Sequence, residues 1–117
     1  MIIKYKLFEG KKYPGVGDYC IFIPSDIDFM KNYKKYIKFF SENIGIVLSI
    51  INDDISPYKV KYFPNKNDEK DFYTFSKELD FPDEDIIHFE RYEFIRFATS
   101  EEQEQLKIKI LSNKYNL

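Results

Sequence analysis

The amino-acid sequence predicts an α+β protein built on a small antiparallel barrel or strongly bent sheet of about five strands, with a helix inserted near 29–43 and another near 100–111. Three observations carry this: short β-favouring runs bounded by turn signals, a lysine-rich stretch with apolar residues at helical spacing, and a capping box before the last periodic segment. At 117 residues the chain reads as a single domain spanning 1–117, because halving it would leave pieces too small to hold a core. Its 10 Tyr and 12 Phe supply that core without Trp, each buried Phe being worth roughly 1.5–3 kcal/mol.

The elements follow in order. Tyr19–Ile23 is a compact β-favouring run between the Pro14-Gly15 turn signal and Pro24, and is the first strand. From Asp28, the residues Phe29, Tyr33, Tyr36, Ile37 and Phe40 recur at helical spacing, with Lys31, Lys34, Lys35 and Lys38 on the other flank. Ser25, Asp26 or Asp28 is available to cap this helix, which is expected to end near Asn43. Ile44–Ile51 is expected to be the central strand, Gly45 marking a bulge or a close backbone approach. Tyr58–Phe63 alternates apolar residues with lysines, the pattern of a strand with one wet face, and the connection across Asn52–Pro57 predicts a hairpin. Pro64–Asp71 reads as an exposed loop and Phe72–Phe75 as a short strand or packed loop. Ile86–Phe89 and Tyr92–Phe97 are the last two strand candidates. Thr99-Ser-Glu-Glu102 has the form of a capping box, followed by a helix with Gln103, Leu106 and Ile110 on one face.

Small barrels offer a resemblance. The succession of Val16-Gly-Asp-Tyr-Cys-Ile, Ile44-Gly-Ile-Val, Tyr58-Lys-Val-Lys-Tyr-Phe and Phe97-Ala-Thr-Ser-Glu-Glu resembles small SH3-like barrel proteins, including uncharacterised ones encoded by tailed bacteriophages. The Lys6-Leu-Phe-Glu9 opening is similar to theirs as well. The resemblance implies an SH3-like fold and a viral origin, and it transfers no catalytic residue.

Charge divides the chain. The formal net charge is −2, yet residues 1–38 hold eight lysines against four acids while residues 39–117 hold ten bases against sixteen acids. An acidic balance argues against an obligate nucleic-acid binder, whereas a two-faced molecule can steer a partner. No apolar run approaches the roughly 20 residues that cross a bilayer, and Met1–Gly10 lacks a secretory signal pattern, so a cytoplasmic location is expected, in the host cell if the protein is viral. One cysteine cannot form an internal disulfide or a multi-cysteine metal site, in keeping with a reducing compartment.

Chemistry-bearing constellations are sparse. Cys20 sits in an apolar strand without a basic neighbour in sequence, and reads as a packed thiol. Gly15-x-Gly17 lacks the rest of a nucleotide-binding loop. His88 is the sole histidine; only a pairing with Asp83, Glu84 or Asp85 would give an acid–base or metal-binding group. The expectation is therefore a non-enzymatic protein-interaction module without cofactor or metal, one reading being a phage accessory protein that inhibits a host nucleic-acid-handling or defence protein. Its partner-binding candidates are Asp80, Asp83, Glu84, Asp85, Glu101 and Glu104, whose carboxylates can occupy a basic groove on a protein partner. The alternative is a nucleic-acid-binding barrel in which Lys31, Lys34, Lys35 and Lys38 follow phosphates while Tyr33 and Tyr36 stack on bases.

Overall fold

A computed structural model describes residues 13–115, the last three by their backbone alone. The Lys6–Glu9 opening lies outside these residues. Strands β1 (Tyr19–Phe22), β2 (Gly45–Ile50), β3 (Tyr58–Lys61), β4 (Ile86–Phe89) and β5 (Phe94–Phe97) form one antiparallel sheet in the order β4-β3-β2-β1-β5. Helix α1 (Tyr33–Glu42) lies between β1 and β2 in the chain, α2 (Lys66–Glu78) between β3 and β4, and α3 (Ser100–Tyr115) follows β5. Residues 51–57 connect the β2–β3 hairpin, and β2 is the middle strand, as the sequence predicts.

The sheet is open, because edge strands β4 and β5 do not pair. It is nevertheless strongly curled. Phe22 on β1 and Phe89 on β4 stack with ring centroids 4.8 Å apart, although three strand spacings separate their strands and a flat sheet would hold the rings about 14 Å apart. Bulges in the β2–β3 pair, between Val47 and Ser49, and in the β1–β5 pair, between Ile21 and Phe22, supply local twist. Gly45 makes the predicted close approach, since a Cβ there would lie 2.8 Å from Tyr62 Cζ and closer still to Val60 Cγ1.

Helix α1 presents Tyr36 and Phe40 to the core at i and i+4, leaving Lys34, Lys35 and Lys38 exposed. It begins four residues beyond the predicted Phe29, no side chain caps its start, and Phe29 is 74% exposed in the preceding turn, where Lys31 is exposed too. The larger correction is α2. The segment expected to be a loop and short strand is a 13-residue helix, whose Phe72, Phe75 and Ser76 are buried at i, i+3 and i+4 and whose Asp68 and Glu69 face the positive end of its dipole. It closes in a Schellman turn: Phe81 N donates to Ser76 O (3.1 Å), Asp80 N donates to Lys77 O (3.0 Å), and Asp80 adopts φ +56° where glycine is usual.

Two further differences concern the end of the chain. Arg91–Glu93 form a 3₁₀ turn, so the last strand begins at Phe94 rather than Tyr92, and α3 runs to Tyr115 rather than 111. The capping box forms as predicted, Glu102 N donating to Thr99 Oγ1 (3.1 Å) and Thr99 N to Glu102 Oε1 (2.8 Å). Among the described residues, no helix is long and apolar enough to cross a membrane.

Candidate interaction groove

Helices α1 and α2 meet over an aromatic layer. The Phe40 ring makes edge contacts with Phe75 (5.0 Å), Tyr62 (5.1 Å) and Phe89 (5.7 Å), and Phe39 lies 5.2 Å from Phe72. Above this layer the helices leave a cavity of about 230 Å³ with Phe39, Phe40, Phe72 and Phe75 on its floor. Lys35 and Lys38 line it from α1, and Asp68 and Asp71 from α2. Glu42 and Asn43 close one end and also line a second cavity of about 180 Å³, whose other walls are Ile44, Phe63 and the α3 residues Glu102, Gln105, Leu106 and Lys109. Asn43 is fixed there because its Nδ2 donates to Phe39 O (2.7 Å) at the end of α1.

Charges on this rim are partly matched. Lys35 Nζ lies 2.5 Å from Asp71 Oδ2, and that hydrogen bond, reinforced by the carboxylate's charge, raises the Lys35 pKa. Tyr36 packs edge-on against Phe75 at 5.0 Å, and burial raises its phenol above the usual value. Burial lowers the Lys109 ammonium, with Asp68 acting weakly in the opposite sense. The lysine stripe is thus split: Lys35 is engaged by α2, while Lys31, Lys34 and Lys38 are exposed and carry no ion pair among the described residues. Tyr36 is buried and offers no face to a base.

The acidic candidates fall into two groups. Asp80, Asp83, Glu84 and Asp85 belong to the turn between α2 and edge strand β4, whereas Glu101 and Glu104 lie in the first turns of α3, which follows the opposite edge strand β5. Asp80 is the left-handed residue ending α2, and Asp85 Oδ2 lies 3.5 Å from Lys61 Nζ. Asp83 holds the turn through its backbone, its carbonyl accepting from the buried Ser76 hydroxyl at 3.1 Å. Glu84 and Glu101 are exposed, and Glu104 lies 3.8 Å from Lys107.

His88 stacks on Phe81 with centroids 4.7 Å apart, and desolvation together with Lys59 lowers its pKa. Of the three acids that a catalytic or metal-binding role would have required beside it, Asp85 lies 3.5 Å from Lys61 Nζ. Cys20 is fully buried, and Gly15 N donates to Asp18 Oδ2 at 2.6 Å, so the glycine-rich stretch is a turn leading into β1.

A cluster that the sequence did not reveal surrounds Glu93. Its Oε2 accepts from Ser25 N (2.6 Å) and Ser25 Oγ (3.1 Å), and its Oε1 accepts from Glu90 N (2.7 Å). Burial raises its pKa against the opposing effect of these donors. Ser25 lies 68 residues away in sequence, so only the fold discloses the contact. Its work is structural, fastening the segment after β1 to the turn before β5. No known protein family, curated protein or solved structure matches the chain.

Proposed function

We propose that the chain is a non-enzymatic protein-interaction module whose α1–α2 cavity receives one large side chain of a protein partner. The observation that carries this reading is the cavity itself, of about 230 Å³, with an aromatic floor and a rim of both charge signs. Pockets that enclose a small-molecule ligand run to roughly 300–1,000 Å³, whereas a well-packed recess with a polar rim suits a single interface anchor. Exposed Asp83, Glu84, Glu101 and Glu104 give a basic partner a second set of contacts. The SH3-like reading is supported by the strand order, since bringing β4 round to β5 would close this curled sheet into a small barrel. The motif resemblance alone is what points to a viral accessory role against a host nucleic-acid-handling or defence protein. Affinity capture from bacterial lysate tests the reading. A specific protein is expected to be retained, and lost when Lys38→Trp fills the cavity mouth; recovery of none, or recovery indifferent to that substitution, overturns it.

A second reading, nucleic-acid binding, is favoured by one observation: Phe29 stands exposed in the turn with Lys31, and Lys34 and Lys38 follow on α1 without ion pairs among the described residues. It requires binding to a single-stranded oligonucleotide that weakens steeply with salt and with Lys34→Glu/Lys38→Glu. Affinity that ignores both removes it.

A further inference from the structure

The α1–α2 cavity continues past the end of α1. Glu42 and Asn43 stand in its wall and also in the wall of the cavity of about 180 Å³ beside α3, so the two recesses form one trough across the C-terminal end of α1. Spheres of these volumes are about 7–8 Å across, so two that share a wall have centres about 7 Å apart, the span of about two residues of extended chain or about one turn of helix.

Lys109 sets the chemistry of the second recess. It lines that recess half-buried, on the turn of α3 that buries Leu106, and it makes no ion pair among the described residues. The surrounding carboxylates do not supply one. Glu102 is occupied, its Oε1 accepting from Arg96 (2.7 Å) and Thr99 N (2.8 Å) and its Oε2 from Arg96 (3.0 Å). Glu42 is exposed on the shared wall, and the pull of Asp68 on Lys109 is smaller than the effect of burial, which holds the ammonium below its usual pKa. The fold has thus stripped water from this cation without providing a counter-ion. A carboxylate brought into the recess gains more there than at an exposed lysine, because part of the desolvation is already done.

Resting on the reading of the α1–α2 cavity as an anchor site, we propose that the second recess binds a carboxylate of the same partner segment through Lys109. The partner then presents an Asp or Glu about two residues from its large anchor side chain if the segment is extended, or about three to four residues from it if the segment is helical.

Panning a randomised peptide library on the full chain tests this. Selected peptides are expected to combine an apolar or aromatic anchor with an acid at one of those spacings, and to bind Lys109→Met about tenfold more weakly with thermal unfolding unchanged. Exchanging the peptide's acid for its amide is expected to cost about as much against wild type and almost nothing against Lys109→Met. Lys109→Glu is expected to select Lys or Arg at that position instead. Glu42→Gln, which removes the competing carboxylate, is expected to strengthen binding, and weaker binding in that variant overturns the inference. Anchors selected without an acid, basic residues in its place, or affinity indifferent to Lys109→Met also overturn it, while leaving the anchor reading standing so long as Lys38→Trp still abolishes binding. Peptides indifferent to Lys38→Trp, or no selected peptide at all, overturn both.

Discussion

Gly45 offers the sharpest test of the packing. A Cβ added there would stand 2.8 Å from Tyr62 Cζ and press harder still on Val60 Cγ1, where carbon atoms rest comfortably at about 3.5–4.0 Å. Neither neighbour has room, since Val60 is fully buried and the Tyr62 ring is wedged among Phe39, Phe40, Phe72 and Phe89. Nor can β2 withdraw, being paired to β1 on one side and β3 on the other. Overpacking of this kind costs about 1–3 kcal/mol, and the roughly 0.5–1 kcal/mol that alanine recovers in backbone entropy offsets only part of it. Gly45→Ala is therefore expected to destabilise by about 1–2 kcal/mol, about 4–8 °C in Tm for a domain of this size, leaving the protein folded. Urea unfolding followed by circular dichroism measures this. Adding Val60→Ala removes the Cγ1 overlap but leaves Tyr62, so the double variant should lose less than the two single losses together. A Gly45→Ala protein within about 0.5 kcal/mol of wild type, or strict additivity with Val60→Ala, would refute the close approach.

Four more expectations follow from individual groups. The Tyr62 hydroxyl is buried without a hydrogen-bond partner among the described residues, so Tyr62→Phe should raise stability by up to about 1 kcal/mol in thermal or urea unfolding. Glu93→Gln puts an NH₂ group against one of two backbone donors, Ser25 N or Glu90 N, and should cost about 1–3 kcal/mol by the same measurement. Asp80→Gly relieves a left-handed residue at the end of α2 and should stabilise by about 0.5–1 kcal/mol. Glu102 is held down to about 2, first by its hydrogen bond from Arg96 and then by Thr99 N–H. A depressed carboxylate stabilises the fold above its unfolded value and loses that contribution as pH falls from about 4.5 to about 2. With Arg96 48% exposed, the contribution is about 1 kcal/mol, so the gap between wild type and Glu102→Gln in urea unfolding should close at low pH.

What could be read in advance was local. The strands announced themselves as short β-favouring runs between turn signals, β3 with a clear alternation as well, and the Thr99–Glu102 box is complete within four residues. Helix α2 was hidden by composition, since Asn65, Asn67, Asp68 and Asp71 are turn-forming residues in isolation, whereas Pro64 ahead of the helix, acids in its first turn, and Phe72, Phe75 and Leu79 at i, i+3 and i+7 were the signal that counted. The groove was then out of reach, because one of its two walls is α2. Lys35 illustrates the loss: on α1 alone it belongs to a basic stripe, and only beside Asp71 does it become one side of an ion pair. Glu93 and Ser25 are joined by the return of β5 to β1, which no local pattern encodes.

That return also has a consequence in time. Cys20 on β1 is paired with Phe97 on β5, so the contact order of the sheet is high and one side of β1 has no partner until the last strand exists. At translation rates of about 5–20 residues per second, β5 is made about 4–15 s after β1. Throughout that interval the nascent chain carries an apolar Tyr-Cys-Ile-Phe edge without its β5 partner, the kind of unpaired edge on which another extended chain can add.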